Sequence, residues 1–148
     1  IIYIVFSFIF FLNIDFKFLN ILDFNLLIII IITFDIFSYF IGTAVGKTKL
    51  INISPKKTIE GLVGGIIASS LFATIFSYYF NILINLQLFA YIVLIIFSSL
   101  SGDLIESYFK RKNDLKNSSN IIPGHGGVFD RFDSFLFSII VYSIFINL

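Results

Sequence analysis

Apolar runs too long for the interior of a small soluble domain dominate this chain. One of them, LLIIIIITFDIFSYFIG at 26–42, carries a single charged residue, Asp35. Hydrophobic residues make up 58% of the 148 positions and charged residues 13%, roughly half the charged share of a typical soluble domain. A domain of this size keeps too much surface relative to its volume to bury that much apolar area. The composition therefore predicts that lipid is the solvent for most of the chain.

Five apolar segments are candidates for membrane crossings: 1–12, 24–44, 59–80, 86–108 and 130–147. A helix needs about 20 residues to span the hydrocarbon core, and the segments lack the alternation that is typical of membrane strands. The third segment begins with Gly61, Gly64 and Gly65, which would let another helix approach closely. We therefore predict an all-α, polytopic membrane protein with about five transmembrane helices, organised as a single domain over 1–148.

The basic residues are unevenly distributed between the loops that join these segments. Nine of the ten Lys and Arg residues fall in or beside two loops, one before the third segment and one before the fifth. Five crossings place both loops on the same side, and loops rich in Lys and Arg are usually cytoplasmic. We therefore expect a multi-pass protein of the inner (cytoplasmic) cell membrane. Its N-terminus and both basic loops would face the cytoplasm, and its C-terminus would lie outside.

Carboxylates recur at the membrane edge beside the second basic loop. Asp103 and Glu106 are three residues apart and share one helix face, and Asp130 and Asp133 repeat this spacing at the start of the last segment. An ionisable group inside a membrane helix costs about 2.5–3.5 kcal/mol, so such groups usually have a partner or a function. The absence of Cys excludes disulfides and Cys-ligated metals. Paired carboxylates instead favour a hard cation such as Mg²⁺.

The loop between the paired acids contains groups suited to phosphate. GHGG at 124–127 can expose backbone N–H groups, because glycine has no side chain to block an approaching anion. Lys110, Arg111 and Arg131 lie on either side of this motif and can neutralise phosphate charge. Together with the acids, these residues indicate metal-assisted chemistry on a phosphate compound at the membrane surface.

Each of these residues also has a structural interpretation. Lys and Arg beside membrane segments often only set topology or contact lipid head groups. The other structural alternatives are an ion pair of Asp103 with Lys110 or of Asp130 with Arg131, a packing role for Asp35 beside Ser38 or Tyr39, and a structural hydrogen bond from His125. Because all these groups are expected on one membrane face, a functional site is favoured over the separate structural roles.

Four stretches of the chain carry the pattern of a known enzyme family. They are DIFSYFIG at 35–42, ISPKKTIEGLVGG at 53–65, SGDLIES at 101–107 and SYFKRKNDLKNSSNIIPGHGGVFDRFDS at 107–134. In order and spacing they resemble the signature of the phosphatidate cytidylyltransferases, also called CDP-diglyceride synthases. The similarity covers 33–135 and departs from the family pattern at Thr48, where His is common, and at Asn117, where Asp is usual. Family members are typically longer, so we expect this chain to be N-terminally short.

The resemblance implies a reaction, its cofactors and its partners. CTP and phosphatidate would give CDP-diacylglycerol and pyrophosphate, a step of phospholipid biosynthesis. The implied ions are Mg²⁺ and a monovalent companion such as K⁺, and the implied assembly is a homodimer in membrane lipid, with no nucleic-acid partner. Both substrates are anions, so positioning and charge neutralisation would carry most of the catalysis.

The resemblance also assigns roles to individual residues. It places Asp103 and Asp130 on the metal ion, with Glu106 and Asp133 as further ligands or supporting groups. Catalytic roles fall to Asp103, Asp130, His125, Lys110 and Arg111. Substrate-binding roles fall to Ser54, Lys56, Lys57, Glu60, Ser107, Gly126, Gly127 and Arg131, with the basic members on phosphates and Ser54, His125, Gly126 and Gly127 lining the CTP pocket. The site is therefore expected on the membrane face that carries the two basic loops.

Other functions stay open at this point. One alternative is a CTP-dependent enzyme that acts on an isoprenoid or ether lipid. Another is a non-enzymatic, ion-binding transporter subunit, which would carry inverted repeats and interrupted helices near mid-membrane. The sequence has no visible internal repeat, and its charges cluster at one face. An inactive remnant is disfavoured by the retained spacing of Asp103, His125, Asp130 and Asp133.

Overall fold

Five helices account for most of the described chain and follow the predicted segments closely. The computed structural model describes residues 2–12, 21–51, 54–113 and 132–146. The elements are α1 (Ile2–Leu12), α2 (Ile21–Val45), β1 (Lys49–Ile51), β2 (Ser54–Thr58), α3 (Ile59–Tyr79), α4 (Leu86–Lys112) and α5 (Asp133–Ile146). The all-α prediction is confirmed. Helix α4 continues beyond its predicted end at 108, where three basic residues in its last turn complement the negative end of the helix dipole.

Three of the described helices are long and apolar enough to cross a membrane. They are α2, α3 and α4, with 25, 21 and 27 residues. Helix α5 is apolar but has 14 residues, and α1 has 11, so their described lengths fall below a full crossing of about 20 residues. Large apolar side chains such as Phe40, Ile67 and Leu71 are exposed, which suits a surface in contact with lipid. These features fit a polytopic membrane protein.

A two-stranded antiparallel hairpin, which the sequence did not predict, joins α2 to α3. Lys49 in β1 lies opposite Thr58 in β2, and Ile51 lies opposite Ser54. The second strand reads SPKKT, and because Pro and Lys are unfavourable in strands, neither propensity nor apolar alternation indicates a strand here. The hairpin holds the predicted site residues of this loop in an ordered element.

Side-chain caps define where α3 and α4 begin. The Thr58 hydroxyl accepts a hydrogen bond of 3.1 Å from the backbone N–H of Gly61. The Asn85 side chain accepts one of 2.9 Å from Leu88 in the same way. Such caps satisfy donors that the first turn of a helix leaves without a partner. Because Thr58 is also the last residue of β2, the end of the hairpin is the start of α3.

The crossing of α2 and α3 is close because α3 carries glycine at the contact. A methyl group on Gly61 would lie 2.5 Å from the backbone oxygen of Ser38 and 3.0 Å from the Cα of Gly42. A methyl group on Gly65 would lie about as close to side-chain atoms of Ser38 and Phe34. The prediction that this Gly-rich start admits another helix is confirmed, and the neighbouring helix is α2.

The hydrophobic core lies mainly between α2, α4 and α5. Its buried apolar members are Leu26, Leu27, Ile30, Ile31, Phe34, Ala73, Leu88, Tyr91, Ile92, Ile95, Ile96, Ile139 and Tyr142. A polar contact crosses this layer where the Ser98 hydroxyl lies 3.2 Å from the hydroxyl of Ser138, and both residues are buried. At the end of the bundle where α4 ends and α5 begins, acidic residues take the place of the apolar core residues.

Candidate functional site

Three carboxylates from two helices converge at this end of the bundle. Asp103 and Glu106 come from α4, and Asp133 comes from the first turn of α5. One oxygen atom from each of the three lies within 4.8 Å of the others. Glu106 and Asp133 are buried, whereas Asp103 is partly exposed. The predicted pairing of acids from the last two helices is therefore present for three of the four acids named.

Close packing between α4 and α5 brings these acids together. A methyl group on Gly102 would lie 2.5 Å from the backbone oxygen of Asp133 and 2.9 Å from the Cβ of Phe137. Backbone atoms cannot move aside as the end of a side chain can, so the contact needs glycine at 102. The residue next to it, Asp103, is thereby held beside the start of α5.

Two lysines pair with the two acids of α4. Lys57, from β2, forms an ion pair with Asp103. Lys110 lies one turn after Glu106, and its Nζ is 2.9 Å from Glu106 Oε2. The alternative pairing of Asp103 with Lys110 is not the one observed. The hairpin before α3 and the C-terminal half of α4 therefore meet at the same end of the bundle, which agrees with the expectation that the two basic loops lie on one side of the membrane.

Asp133 and Ser107 each take part in a further polar contact at this cluster of acids. The Asp133 carboxylate accepts a hydrogen bond of 2.7 Å from the backbone N–H of Ser134, and a carboxylate at the first turn of a helix is favoured by the dipole. The Ser107 hydroxyl lies 3.5 Å from Asp103 Oδ1, which is the outer limit of a hydrogen bond. Ser107, a predicted substrate-binding residue, thus lies near the acids.

A cavity of about 280 Å³ opens beside Asp103, between α2, the hairpin, α3 and α4. Its lining combines charged and polar side chains with apolar ones, so the cavity suits a molecule with a charged head and a hydrocarbon body. Its polar lining comes from Asp35, Ser38, Tyr39, Ser54, Lys56, Lys57, Thr58 and Asp103, and its apolar lining from Phe34, Leu50, Leu62 and Leu100. Three predicted substrate-binding residues, Ser54, Lys56 and Lys57, line it together.

Asp35 belongs to this site, although it was not among the predicted site residues. It lies within α2, lines the cavity, and is close enough to Asp103, Lys57 and Asp133 for their charges to interact with its own. The Ser38 hydroxyl donates to the backbone oxygen of Asp35 rather than to its carboxylate. The signal that could have identified Asp35 was its position as the one charge in a long apolar run.

Glu60 occupies a different position from the other predicted substrate-binding residues. Its carboxylate accepts a hydrogen bond of 2.9 Å from the Thr48 hydroxyl and one of 3.2 Å from the Thr48 backbone N–H. Ile59 in turn donates to the backbone oxygen of Thr48 at 3.0 Å. These bonds tie the start of the hairpin to the start of α3. In the part of the chain that the structure describes, the Glu60 carboxylate bonds to Thr48, the residue just before β1.

The remaining predicted residues divide into two groups. Arg111 lies in the exposed last turn of α4, on the same end of the bundle as the acids. His125, Gly126, Gly127, Asp130 and Arg131 lie outside the described residues, so their predicted roles stay predictions.

The donor set fits a divalent cation that prefers oxygen. Mg²⁺ binds oxygen at about 2.1 Å in an octahedron, which places ligand oxygens roughly 3.0–4.2 Å apart. The oxygens of Asp103, Glu106 and Asp133 lie within 4.8 Å of one another, so small side-chain rotations would bring them to that spacing. Mg²⁺ sites commonly combine one or two carboxylates with substrate phosphates. The described acids could therefore hold a Mg²⁺ ion.

Comparison with known proteins gives one consistent result. A model of the cytidylyltransferase family matches residues 1–148. A phosphatidate cytidylyltransferase of Bacillus subtilis is 49% identical over 106 residues, which cover 68% of this chain and 38% of that protein. Another, of Staphylococcus haemolyticus, is 50% identical over 103 residues, which cover 68% of this chain and 39% of that protein. The match thus takes in less than half the length of these relatives.

Proposed function

Since the chain belongs to the cytidylyltransferase family, we propose that it carries the site of a phosphatidate cytidylyltransferase. The substrates would be CTP and phosphatidate, and the products CDP-diacylglycerol and pyrophosphate. The names of the similar proteins and the resemblance of four motifs support this reaction. The enzyme would act in phospholipid biosynthesis.

One geometric observation carries the proposal. Three carboxylates converge at one end of the bundle, and Lys57 links them to a cavity that is lined by both polar and apolar side chains. A lipid phosphate needs this combination, because its head is anionic and its body is hydrocarbon. The nucleotide would reach the same place from the aqueous side of the membrane edge.

The reaction needs little covalent chemistry from the protein. A phosphate oxygen of phosphatidate would attack the α-phosphorus of CTP, the bond from that phosphorus to the bridging β-phosphate oxygen would break, and pyrophosphate would leave with the electron pair. Catalysis of phosphoryl transfer rests mostly on positioning and charge neutralisation. Lys57 and Lys56 would bind the lipid phosphate in the cavity, and Lys110 and Arg111 would face the nucleotide phosphates.

We propose Asp103, Glu106 and Asp133 as the described donors to Mg²⁺, with Asp130 joining them as the resemblance implies. When bound, Mg²⁺ would neutralise phosphate charge at the reacting centre. We also propose that K⁺ accompanies Mg²⁺ and that the enzyme is a homodimer, as the resemblance implies. The presence of basic residues at the site end supports a cytoplasmic orientation in the inner membrane.

Incorporation of labelled CTP into lipid tests the proposal. Membranes carrying the chain would be incubated with phosphatidate, with and without Mg²⁺, beside the Asp103→Asn and Asp130→Asn variants. We expect label in lipid that depends on Mg²⁺ and is lost in both variants. The matched control is Asp23→Asn, which removes a carboxylate from the opposite end of α2. Full incorporation by Asp103→Asn would contradict the metal assignment, and no incorporation by the inserted chain would contradict the activity.

Competition between lipids tests the substrate. Unlabelled phosphatidate should reduce the labelled product, whereas an isoprenoid phosphate or an archaeal ether-lipid phosphate should not. If either of these two lipids competed more strongly than phosphatidate, that lipid would be the better candidate substrate. The proposed type of reaction would stay the same.

A further inference from the structure

Negative charge is concentrated where the candidate site meets the cavity. Asp103, Glu106 and Asp133 bring carboxylate oxygens within 4.8 Å of one another, and Asp35 is close enough to interact electrostatically with two of them. Carboxylates at such distances repel each other, and a cation among them or a shared proton offsets the repulsion. Positive charge close to the acids therefore stabilises the folded site.

The chain supplies that charge from two elements. Lys110 contacts Glu106 from the next turn of the same helix, so this pair is local. Lys57 contacts Asp103 from β2, which is separated from α4 by the whole of α3. The Lys57 pair is therefore created by the fold, and it places an ammonium group directly on one of the three acids that could hold a metal ion.

An ammonium group and a divalent cation cannot share one carboxylate equally. Both are attracted to the same oxygens, and at contact distances they repel each other. Lys57 also lines the cavity beside Asp103, and its long, flexible stem lets the ammonium move without any shift of the backbone. Two positions are thus open to it, one on Asp103 and one toward an anion in the cavity.

Resting on the proposed function, we propose that Lys57 is a built-in counter-ion that a divalent cation displaces from Asp103. Once displaced, the Lys57 ammonium binds the phosphate in the cavity. Loading of the ion and capture of the lipid phosphate are then coupled through one side chain. The coupling favours lipid binding at sites that already hold the ion, because in those sites Lys57 has exchanged its carboxylate partner for the phosphate.

Direct measurement of metal affinity tests this competition without any turnover. Mn²⁺ would be titrated into the purified chain in detergent and followed by electron paramagnetic resonance. We expect Lys57→Gln to bind Mn²⁺ about fivefold or more tightly than the wild type, since the competing ammonium is gone. Lys57→Arg keeps the charge and should bind Mn²⁺ as the wild type does.

Lys56→Gln is the matched control for net charge. Lys56 is the neighbouring residue, is exposed, and lines the same cavity, and its substitution removes the same charge. It should change Mn²⁺ affinity less than twofold, as expected for an exposed, screened charge. Equal tightening by Lys56→Gln and Lys57→Gln, or weaker binding by Lys57→Gln, would overturn the proposal.

A second measurement uses the wild-type chain and so does not depend on the folding of a variant. An amine-reactive reagent would label the protein with and without Mn²⁺, and mass spectrometry would give the ratio of labelling at Lys57 to that at Lys56. Release from Asp103 should raise this ratio when Mn²⁺ binds. An unchanged ratio while Mn²⁺ is bound would refute the displacement and leave the proposed function intact. A wild-type chain that binds no Mn²⁺ would refute both.

Discussion

Gly102 in α4 lies directly against the backbone oxygen of Asp133 in α5, so that a methyl group at 102 would lie 2.5 Å from that oxygen. This contact sets how closely the two acidic helices approach. An oxygen of Asp133 lies within 4.8 Å of oxygens of Asp103 and Glu106 because the two helices touch here. A packing detail between two backbones thus determines the geometry of the candidate metal site.

Gly102→Ala should therefore damage the site while leaving the helices intact. The added methyl group would push α5 away and separate the carboxylates, so we expect Mn²⁺ affinity to fall about tenfold, as happens when groups that support metal ligands are disturbed. Gly64→Ala is the control for disturbed packing away from the acids, because the atoms nearest to a methyl group there belong to the side chain of Ile41 in α2. Circular dichroism would verify that both variants remain helical. Unchanged Mn²⁺ affinity in Gly102→Ala would show that the contact does not set the spacing.

Asp133→Asn should remove one described donor without changing side-chain size. We expect Mn²⁺ affinity and labelled-CTP incorporation each to fall about 10–100-fold or more, as for lost metal-site partners. Asp23→Asn, at the far end of α2 beside Asn85 and Tyr91, should alter neither quantity. If the two variants behaved alike, a local role for Asp133 would be untenable.

The bonds between Glu60 and Thr48 should stabilise the hairpin. Glu60→Ala removes the acceptor of both Thr48 donors, and hydrogen exchange should then accelerate across β1 and β2 but not in the middle of α3. Glu60→Gln keeps one oxygen acceptor and should show a smaller increase. Exchange rates in the hairpin that match the wild type in both variants would mean that these bonds contribute nothing to its order.

Much of the architecture could be predicted because it depends on local patterns. Helix positions follow from the length of apolar runs, and the i, i+3 spacing of Asp103 and Glu106 places them on one face whatever the rest of the chain does. The two basic loops were expected on one side of the membrane, and the ion pair of Lys57 with Asp103 places the first of them beside α4, the helix that precedes the second.

The missed features depend on contacts between distant segments. No local pattern indicates that Lys57 pairs with Asp103 rather than with a phosphate, or that Asp35 lies beside both of them. The hairpin was missed because its second strand, SPKKT, is held by pairing with β1 and by the cap at Thr58 rather than by strand propensity. Tertiary packing determines these arrangements.

The buried contact between Ser98 and Ser138 offers a test of helix packing away from the site. Each hydroxyl has one proton and also lies 2.8 Å from a carbonyl oxygen of its own helix, Ser98 from Ile95 and Ser138 from Ser134, so these carbonyls compete with the bond between the two serines. We therefore expect a small coupling, about 0.6 kcal/mol, in a double-mutant cycle of the two alanine variants, typical of interhelical hydrogen bonds in membranes. Unfolding in mixed micelles would measure it. A coupling near zero would mean that the serines contribute by their size and not by their hydrogen bond.

The junction at Thr58 has a consequence for how this sequence can change over evolutionary time. Thr58 ends β2 and caps α3, and the residue before it reaches Asp103. One inserted residue in β2 would turn Lys57 to the opposite face of the strand, because successive side chains alternate. The turn between α3 and α4 lies at the far end of the bundle, so its length does not affect the contact of Lys57 with Asp103. Insertions and deletions should therefore be rejected in the hairpin and tolerated in that turn.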